Sequence, residues 1–546
     1  MQKLPIGTDD FGEIRKNNKH YIDKTLLIKD FIENGDEVTL ITRPRRFGKT
    51  LNMTMLREFF DITKDSRDIF EGLAIMDTEY AGQINTRPVI YLSLKNCADR
   101  TPRGLLEEIG EVILAEYWRY HKIIESEADR TEKTYFRFFE VYEYLLNKNI
   151  RETALKSSIM LLTQTLHEYY KTKPLLLIDE YDTPVLCAEE HGFRDDLKLF
   201  FSGLFGSALK GNESLHQALL SGIQRIAKES IFSQLNNVRV YTVVDRKYSQ
   251  YFGFTEPEVK TLLECHGLKL DEEVKNKYDG YLFGNFEIYN PWSVLCYADT
   301  GELGNYWINT STNHLIHKSI AETAQPFRDK FEQLIKNNEV AVSVDLQCSF
   351  AEMQNAGTLW GLLVNSGYIT VVSVEIADIL MRVRIPNGEV GYELSKILLG
   401  ADNAAVGGLH LMFNYLIRKD TDRFLEIYRD IVLSCTSYYD AKENAYHMLF
   451  LGMCLTLRNI YKVESNIEAG YGRSDITMTS KTKGNPHIIV EFKEGEDINA
   501  LKGEALQQIL DKKYYAKLDG EILCIGLAHN KKQCATESVL ISNRAV

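Results

Sequence analysis

The most constraining feature of this sequence is the order of three short segments near its start. An apolar, β-rich run at Val38–Thr42 leads into the loop RPRRFGKT at Arg43–Thr50, and a helical stretch follows at Leu51–Phe60. Strand, loop and helix in this order make up a mononucleotide-binding unit. Later apolar runs at Pro88–Leu94 and Pro174–Asp179 predict further strands of the same sheet. The segments therefore predict an α/β domain built on a parallel sheet.

The loop ends in the phosphate-binding pattern Gly48-Lys49-Thr50, whereas Arg43 stands where the pattern G-x-x-x-x-G-K-[ST] has its first glycine. In such loops backbone amides wrap phosphates, the lysine reaches the β- and γ-phosphate oxygens, and the hydroxyl holds Mg²⁺. A plain loop with a solvated lysine is the simpler alternative. We interpret the whole loop as the ATP-binding segment, which comprises Arg43, Pro44, Arg45, Arg46, Phe47, Gly48, Lys49 and Thr50.

A second motif, LLLIDEYD, places two acids at the end of an apolar strand. Asp179 is predicted to bind the nucleotide's Mg²⁺, and Glu180 to polarise the attacking water as hydrolytic ATPases require. A helix start with an acidic first turn is the alternative. Arg225, just past a strand predicted at Ala218–Ile223, is predicted to contact the γ-phosphate, with a structural role as its alternative.

The overall composition excludes several classes of protein. The formal net charge of −13 argues against nonspecific coating of DNA, but it allows a basic groove on an acidic body. The nine cysteines are scattered, with neither a Cys-x-x-Cys pair nor a nearby histidine cluster, so we expect reduced thiols. No apolar run approaches the ~20 residues of a membrane helix, and the N-terminus has no apolar signal core. We therefore expect a cytoplasmic location and no membrane partner.

Longer stretches of the sequence resemble the bacterial AAA-ATPase-like proteins, which join an N-terminal P-loop ATPase to a C-terminal PD-(D/E)XK nuclease domain. The arginine at position 43 belongs to that family's pattern, while Gln224 and Ala227 depart from a usual Thr and Ser. These departures concern γ-phosphate sensing and not the fold. The stretches that carry the resemblance are LPIGTDDF, YIDKT, RPRRFGKT, LLLIDEYDTP, SGIQRIAKESIF, YFGFTEPEV and YDGYLFG…YNPWS.

Near the C-terminus, acids and a lysine recur in the spacing of such a nuclease. GRSDI supplies Asp475, and IIVEFK supplies Glu491 and Lys493 on one apolar strand. Side chains two residues apart on a strand share a face, so both can point at one metal site. We expect Asp475 and Glu491 to ligate Mg²⁺ or Mn²⁺, and Lys493 to orient the attacking water or steady the phosphate charge. An exposed strand edge with a cross-strand ion pair is the alternative.

The resemblance assigns two more residues to this site. Glu468, in SNIEAGYGRSD, fits an acid often found on the preceding helix or loop, where it would complete the metal shell. Gln508, in ALQQILDKKYY, matches the Gln of a helix that packs over the site in this superfamily, and Tyr514 follows at the familiar spacing.

The length favours about three domains, and changes of pattern along the chain, together with the resemblance, divide it into four segments. They are a P-loop AAA-ATPase-like domain at 1–250, a helical lid at 251–330, a helical, winged-helix-like connector at 331–455 and a PD-(D/E)XK restriction-endonuclease-like α/β domain at 456–546.

The residues leave three functions open. The first is an ATP-driven nuclease acting on nucleic acid, with DNA favoured. The second is a nucleotide-regulated switch that binds nucleic acid or protein through an inactive nuclease-like domain. The third is an ATPase whose C-terminal domain contacts only protein. The expected cofactors are ATP and Mg²⁺, with Mn²⁺ an option at the nuclease site, and the oligomeric state is open.

Overall fold

A computed structural model describes most of the chain, which divides into two compact units. The N-terminal unit comprises Met1–Asp271, Tyr281–Gly304 and Val344–Gly367, and the C-terminal unit comprises Glu272–Gly280, Asn305–Ser343 and Tyr368–Val546. The described residues are 2–126, 131–148, 151–226, 236–307, 325–347, 355–376, 380–399, 403–434, 443–457 and 460–543.

Helices and strands alternate through the first half of the chain. The helices are α1 (Phe11–Lys16), α2 (Leu26–Asn34), α3 (Lys49–Phe60), α4 (Arg67–Phe70), α5 (Pro102–Ile124), α6 (Lys133–Leu146), α7 (Glu152–Tyr170), α8 (Thr183–Glu190) and α9 (Arg194–Leu209). The strands are β1 (Val38–Thr42), β2 (Val89–Ser93), β3 (Leu175–Asp179), β4 (Gln217–Gly222) and β5 (Val238–Tyr241).

The second half of the chain is richer in antiparallel strands. Its helices are α10 (Glu256–Cys265), α11 (Glu272–Tyr278), α12 (Pro291–Thr300), α13 (Gln325–Asn337), α14 (Ala356–Ser366), α15 (Gly388–Leu399), α16 (Asn403–Ile417), α17 (Thr421–Ser434), α18 (Glu443–Met453) and α19 (Ile498–Asp511). Its strands are β6 (Phe254–Thr255), β7 (Tyr281–Phe283), β8 (Phe286–Tyr289), β9 (Glu339–Val342), β10 (Thr370–Ile376), β11 (Leu380–Arg384), β12 (Tyr461–Ala469), β13 (Gly472–Ser480), β14 (His487–Glu494), β15 (Gly520–Asn530) and β16 (Gln533–Asn543).

The N-terminal unit is organised around a parallel sheet with the strand order β2-β3-β4-β1-β5. Strands β1, β3 and β4 are buried at every position, which explains why apolar residues predominate in them. Since the carboxyl ends of parallel strands meet at one edge, the loop after β1 and the acids after β3 come together there. The predicted α/β fold with a parallel sheet is confirmed.

The segment predicted as a helical lid, 251–330, contains strands as well as helices. Strands β6, β8 and β7 form a small antiparallel sheet in the N-terminal unit. The segment YLFGNFEIY, rich in aromatic and apolar residues, forms the β7–β8 hairpin, with Gly284 of its turn in the left-handed region at φ 54°. In the predicted connector, 331–455, β10, β11 and β9 form a second antiparallel sheet, and Val344–Gly367 groups with the N-terminal unit.

The C-terminal sheet has the strand order β12-β13-β14-β15-β16, in which only the β14–β15 pair is parallel. Helix α19 lies on one face, where a buried cluster joins it to the sheet through Leu506, Ile509 and Ile489. The helix ends at Asp511, and Lys513 two residues later adopts a left-handed φ of 51°. Helices α17 and α18 contact the sheet as well.

Among the described residues, none of the helices combines the length and the apolar character needed to cross a bilayer.

Candidate functional sites

The phosphate loop connects β1 to α3. Gly48 precedes the first residue of α3 in the left-handed region at φ 82°, and no side chain caps this helix end. The first backbone N–H groups of α3 are therefore available to an anion. The Lys49 ammonium is buried and donates to the carbonyls of Arg43 (3.0 Å) and Pro44 (2.8 Å). Burial lowers the pKa of Lys49, while the carboxylates of Glu180, Asp179 and Asp182 oppose that shift.

The acid at the end of β3 joins the loop to the sheet. The Thr50 hydroxyl donates to Asp179 Oδ2 at 2.7 Å, and the Ser221 hydroxyl, from β4, donates to Asp179 Oδ1. Burial raises the pKa of Asp179, and the two hydroxyls favour its ionised form. A hydroxyl beside a carboxylate is an all-oxygen donor set of the kind Mg²⁺ prefers, so Thr50 and Asp179 fit the predicted metal.

Glu180 follows Asp179 with a left-handed backbone at φ 51°. A non-glycine residue in this region costs of order 1 kcal/mol or more, which is common at functional sites. The Glu180 carboxylate is partly exposed and accepts a hydrogen bond from the Thr183 hydroxyl at 3.2 Å. This strained turn keeps Glu180 at the carboxyl edge of the sheet, beside the phosphate loop.

Tyr181 and Asp182, the next two residues of the LLLIDEYD motif, form hydrogen bonds to the segment that follows β4. The buried Asp182 carboxylate accepts from the backbone N–H groups of Ile223 (2.9 Å) and Gln224 (2.7 Å). The Tyr181 hydroxyl donates to the Gln224 carbonyl at 2.6 Å and accepts from the Ile226 N–H at 3.1 Å. Burial raises the pKa of Asp182 to about 6. Tyr181 and Asp182 thus position the segment that carries Arg225, a structural role that the sequence does not indicate.

Arg225 itself lies in an isolated parallel bridge with Gln347 and is partly exposed. Its neighbour Gln224 is buried and accepts a hydrogen bond from the Asn365 amide of α14 at 2.9 Å. Residue Ala227 lies outside the described residues. Contact of Arg225 with the γ-phosphate stays a prediction.

The Arg43 side chain turns away from the loop into the core. It is fully buried, donates to the carbonyls of Thr42 (2.8 Å) and Tyr241 (3.1 Å), and lies 5.4 Å and 5.5 Å from the ring centroids of Phe252 and Phe283. Burial lowers the pKa of Arg43 to about 9. Only the Arg43 backbone therefore belongs to the phosphate loop, because its guanidinium is engaged by carbonyls and aromatic rings.

The other predicted loop residues differ in exposure. Phe47 is buried against Tyr281 and Phe283, with ring centroids 4.9 Å and 5.0 Å away, so its side chain anchors the loop to the β7–β8 hairpin. Arg45 is partly exposed, and Arg46 is exposed with its guanidinium 4.6 Å from the ring centroid of Trp292. These two arginines are the members of the loop whose charge lies nearest to solvent.

The second site lies on the face of the C-terminal sheet that carries Asp475 and Glu491. The register of β13 and β14, with Ile476 opposite Val490, places the two acids opposite each other. The Asp475 N–H donates to Glu491 Oε2 at 3.3 Å, and Asp475 Oδ2 accepts from the Phe492 N–H at 2.8 Å. Burial raises the pKa of the Asp475 carboxyl, against the opposing effects of that amide, His447 and Lys493. Two facing carboxylates are oxygen donors that suit Mg²⁺ or Mn²⁺.

Lys493 and Gln508 complete this site. Strand alternation puts Lys493 on the same face as Glu491, and it is partly exposed. The Gln508 amide, from α19, donates to Glu491 Oε1 and to the Tyr514 hydroxyl at 3.1 Å. The structure therefore brings together Asp475, Glu491, Lys493 and Gln508, while their catalytic and metal-binding roles stay predictions.

Glu468 is placed differently from the prediction. It lies on β12, opposite Arg473, and not on a helix or loop, and it is exposed. Among the described residues, its carboxylate does not form a cluster with those of Asp475 and Glu491 in which all ligand atoms lie within 4.8 Å. The predicted placement of Glu468 on a helix or loop is wrong because the residues around it form the strand β12.

His447 of α18 supports the second site from below and was not predicted. Its Nε2 lies 3.1 Å from the Asp475 carbonyl and 3.1 Å from the Ser465 hydroxyl, and its ring packs on Phe492. A lone histidine inside a helix gives no sequence signal of such a contact. Ser221, which supports Asp179 at the first site, gave no sequence signal either.

A phosphate loop and acid-ended strand on a parallel sheet define the class of a P-loop NTPase, and facing carboxylates on a mixed sheet covered by a helix define a PD-(D/E)XK nuclease fold. Residues 5–232 match the family described as "Predicted AAA-ATPase", and residues 441–538 match the PD-(D/E)XK nuclease superfamily. The chain thus carries an AAA-ATPase-like domain followed by a PD-(D/E)XK superfamily domain.

A similar curated protein spans both domains. It is described as "Uncharacterized protein in vnfD 5'region", from Azotobacter chroococcum mcd 1, and is 27% identical over 94% of this chain and 93% of its own length.

Proposed function

We propose that this protein is an ATPase whose nucleotide cycle controls a Mg²⁺- or Mn²⁺-dependent nuclease site acting on nucleic acid, with DNA as the favoured substrate. The observation that carries the proposal is the second site: Asp475, Glu491 and Lys493 share one face, and Gln508 holds Glu491 in place. A purely structural strand has no need of a buried Glu491 facing the partly exposed Asp475, because placing two carboxylates together costs free energy unless they are paired or ligated.

In the N-terminal unit, each residue has a distinct role in the proposed ATPase. The N–H groups at the start of α3 and the Lys49 ammonium bind phosphates, once Lys49 exchanges its carbonyl partners for phosphate oxygens. Thr50 and Asp179 would hold Mg²⁺, which supplies charge neutralisation of the phosphates. Glu180 accepts a proton from, or orients, the water that attacks the γ-phosphate.

In the C-terminal unit, Asp475 and Glu491 would hold the divalent cation, which supplies Lewis-acid stabilisation of phosphate charge. Lys493 orients the attacking water or stabilises the charge that develops on the phosphate. Gln508 keeps Glu491 in one rotamer through its amide N–H.

The test is cleavage of DNA and RNA by the purified full chain with Mn²⁺, with and without ATP. We expect cleavage by the wild type, a loss of at least a hundredfold in Lys493→Ala and Glu491→Ala, and little change in Glu494→Gln. Glu494 is a matched control because it is exposed and lies on the same strand, on the opposite face. A Lys493→Ala protein that cleaves nucleic acid as fast as the wild type would contradict the nuclease proposal.

One observation favours a second candidate, a nucleotide-regulated binding protein with an inactive nuclease-like domain. Among the described residues, Glu468 does not join the two carboxylates, so the metal site has fewer acidic ligands than the sequence predicts. Calorimetric titration of the full chain with Mn²⁺ separates the two candidates: binding that Glu491→Gln abolishes, without any cleavage, supports the second.

A further inference from the structure

Beside the carboxylate pair, the β12–β13 hairpin presents an aromatic side chain to solvent. Its two-residue loop, Gly470–Tyr471, lies between the paired residues Ala469 and Gly472. The Tyr471 side chain is 74% exposed, unusually high for so large a ring. A tyrosine that contributes nothing to the core is available to contact a partner.

The protein holds this exposed ring in a defined position. The Tyr471 N–H donates to the Lys512 carbonyl at 2.7 Å. Gly470 has φ 54°, and a Cβ there would lie 2.1 Å from the Lys512 carbonyl and 2.2 Å from the Lys513 carbonyl. The hairpin tip is therefore docked against the turn that follows α19, where only glycine allows so close an approach.

The surroundings of Tyr471 are basic. The Lys513 ammonium lies 5.9 Å from the ring centroid, and Lys512 is exposed with its stem close to Gly472. Arg473 is exposed and shares the strand face of Asp475. We call Tyr471, Arg473, Lys512 and Lys513 the aromatic–basic rim. The exposed Glu468 lies opposite Arg473 on β12 and offsets one of the three cations. In a chain with a net charge of −13, the remaining local excess of cations marks a surface for a polyanion.

The rim is continuous with the candidate nuclease site. Tyr514, from the same turn as Lys512 and Lys513, has its hydroxyl 3.1 Å from the Gln508 amide, which donates to Glu491. Tyr471 precedes Asp475 by four positions, a distance of about 13 Å at the ~3.3 Å per residue of an extended strand. A strand of nucleic acid whose phosphate lies at the carboxylates therefore reaches the rim within a few nucleotides.

We infer that the C-terminal unit binds single-stranded nucleic acid, with an unpaired base stacked on Tyr471 and its phosphates held by Arg473, Lys512 and Lys513. Aromatic rings among cations are how single strands are bound without sequence preference. In an intact duplex the base faces are already stacked on one another, so no base face is free to stack on Tyr471. This inference rests on the proposed nuclease-type function and names its substrate class.

The test measures binding by fluorescence anisotropy, with Ca²⁺ replacing Mn²⁺ so that the probe stays intact. The probes are a labelled single-stranded DNA oligonucleotide, an RNA of the same sequence and the blunt DNA duplex. We expect Tyr471→Ala to bind the single strands about five- to a hundredfold more weakly, and Tyr471→Phe to bind as the wild type does. The DNA and RNA arms identify which single strand is preferred.

Two control variants match the exposure and charge of the tested residues. Phe136→Ala removes an aromatic side chain that is 60% exposed on α6, and Lys483→Ala removes an exposed lysine just past the opposite end of β13. Both should bind as the wild type does, whereas Lys513→Ala should weaken binding and lower its salt dependence.

The inference is overturned if the wild type does not bind single strands, or if Tyr471→Ala binds them with unchanged affinity. It is also overturned if the wild type binds the duplex as tightly as the single strands and Tyr471→Ala weakens duplex binding by the same factor. A parallel Mn²⁺ cleavage assay keeps this outcome separate from the proposed function. If Tyr471→Ala cleaves duplex as fast as the wild type does, the inference is contradicted and the nuclease proposal stands. Binding that depends on Tyr471 without any cleavage supports the inference and contradicts the nuclease.

Discussion

At the phosphate loop the charged side chains are bonded to neutral partners, whereas at the C-terminal sheet two carboxylates lie face to face. Lys49 is satisfied by two loop carbonyls, and Asp179 by two hydroxyls. Asp475 and Glu491 have a backbone N–H each and the Gln508 amide to offset their repulsion. The neutral partners of Lys49 can be replaced by phosphate oxygens, and under the proposed function a cation at the second site would neutralise the facing carboxylates.

The strongest effect that we predict concerns Lys49, whose replacement should impair the ATP site alone. Lys49→Ala should weaken ATP binding by at least a hundredfold, because the ammonium is the charged group that reaches the phosphates. Calorimetric titration with ATP measures this, and Lys29→Ala, on the surface of α2, is the control. Glu180→Gln should retain ATP and lose its hydrolysis.

Mn²⁺ binding to the Lys49→Ala protein should equal that of the wild type if the sites are independent in affinity. Unchanged ATP hydrolysis by Lys49→Ala would show that the loop has been assigned wrongly.

A second effect concerns the arginine that stands in place of glycine. Arg43→Ala should lower the free energy of unfolding by about 2–4 kcal/mol, because it leaves a cavity between two rings and two carbonyls without their donor. Arg43→Met should cost less, since it fills the space, and Arg45→Ala should change stability by no more than about 0.5 kcal/mol. Denaturant unfolding provides the measurement.

The alternative for Arg43 has its own signature. If Arg43→Met leaves stability unchanged and weakens ATP binding tenfold or more, the guanidinium contacts phosphate in the complex.

A third effect tests how the carboxylate pair is held. Gln508→Ala should reduce Mn²⁺ affinity about ten- to a hundredfold, because Glu491 loses the amide that orients it. Gln507→Ala is the matched control, one residue earlier on α19, where the side chain bonds to Asp511 instead. Equal Mn²⁺ affinities of the two variants, measured by calorimetry, would mean that Gln508 does not position the ligand.

The smallest effect is a dependence of stability on pH. The pKa of Asp182 rises from 3.8 to about 6 on burial, so the folded state holds a proton that the unfolded state releases. The resulting stabilisation is complete below pH 3.8 and is lost as the pH rises through about 6. Asp182→Asn should abolish it, a difference on the order of 1–3 kcal/mol between the two pH limits.

Urea unfolding of the wild type and Asp182→Asn across this range gives the comparison. Parallel pH profiles for the two proteins would show that the amides of Ile223 and Gln224 keep Asp182 at its ordinary pKa.

Prediction from sequence succeeded where the local pattern was strong. The strand at Val38–Thr42 has the predicted bounds, and the predicted strand ending at Asp179 begins one residue later, at Leu175. Prediction was weaker for the edge strands of the C-terminal sheet, since β12 and β16 are not predicted as strands. Edge strands carry polar residues on one face, so their apolar signal is diluted.

The amino-acid order is enough to identify the chemical groups of both sites: the Gly-Lys-Thr loop, the acids at the end of a buried strand, and the Glu-x-Lys pair two residues apart. Local spacing is enough for these, because helix and strand periodicity place near neighbours on one face. Three features become visible in the folded chain alone: Arg43 lies among aromatic rings, Asp182 fixes the segment after β4, and Glu468 stands apart from the carboxylate pair. Each of these depends on contacts between residues far apart in the chain, which register and burial settle and a linear pattern does not encode.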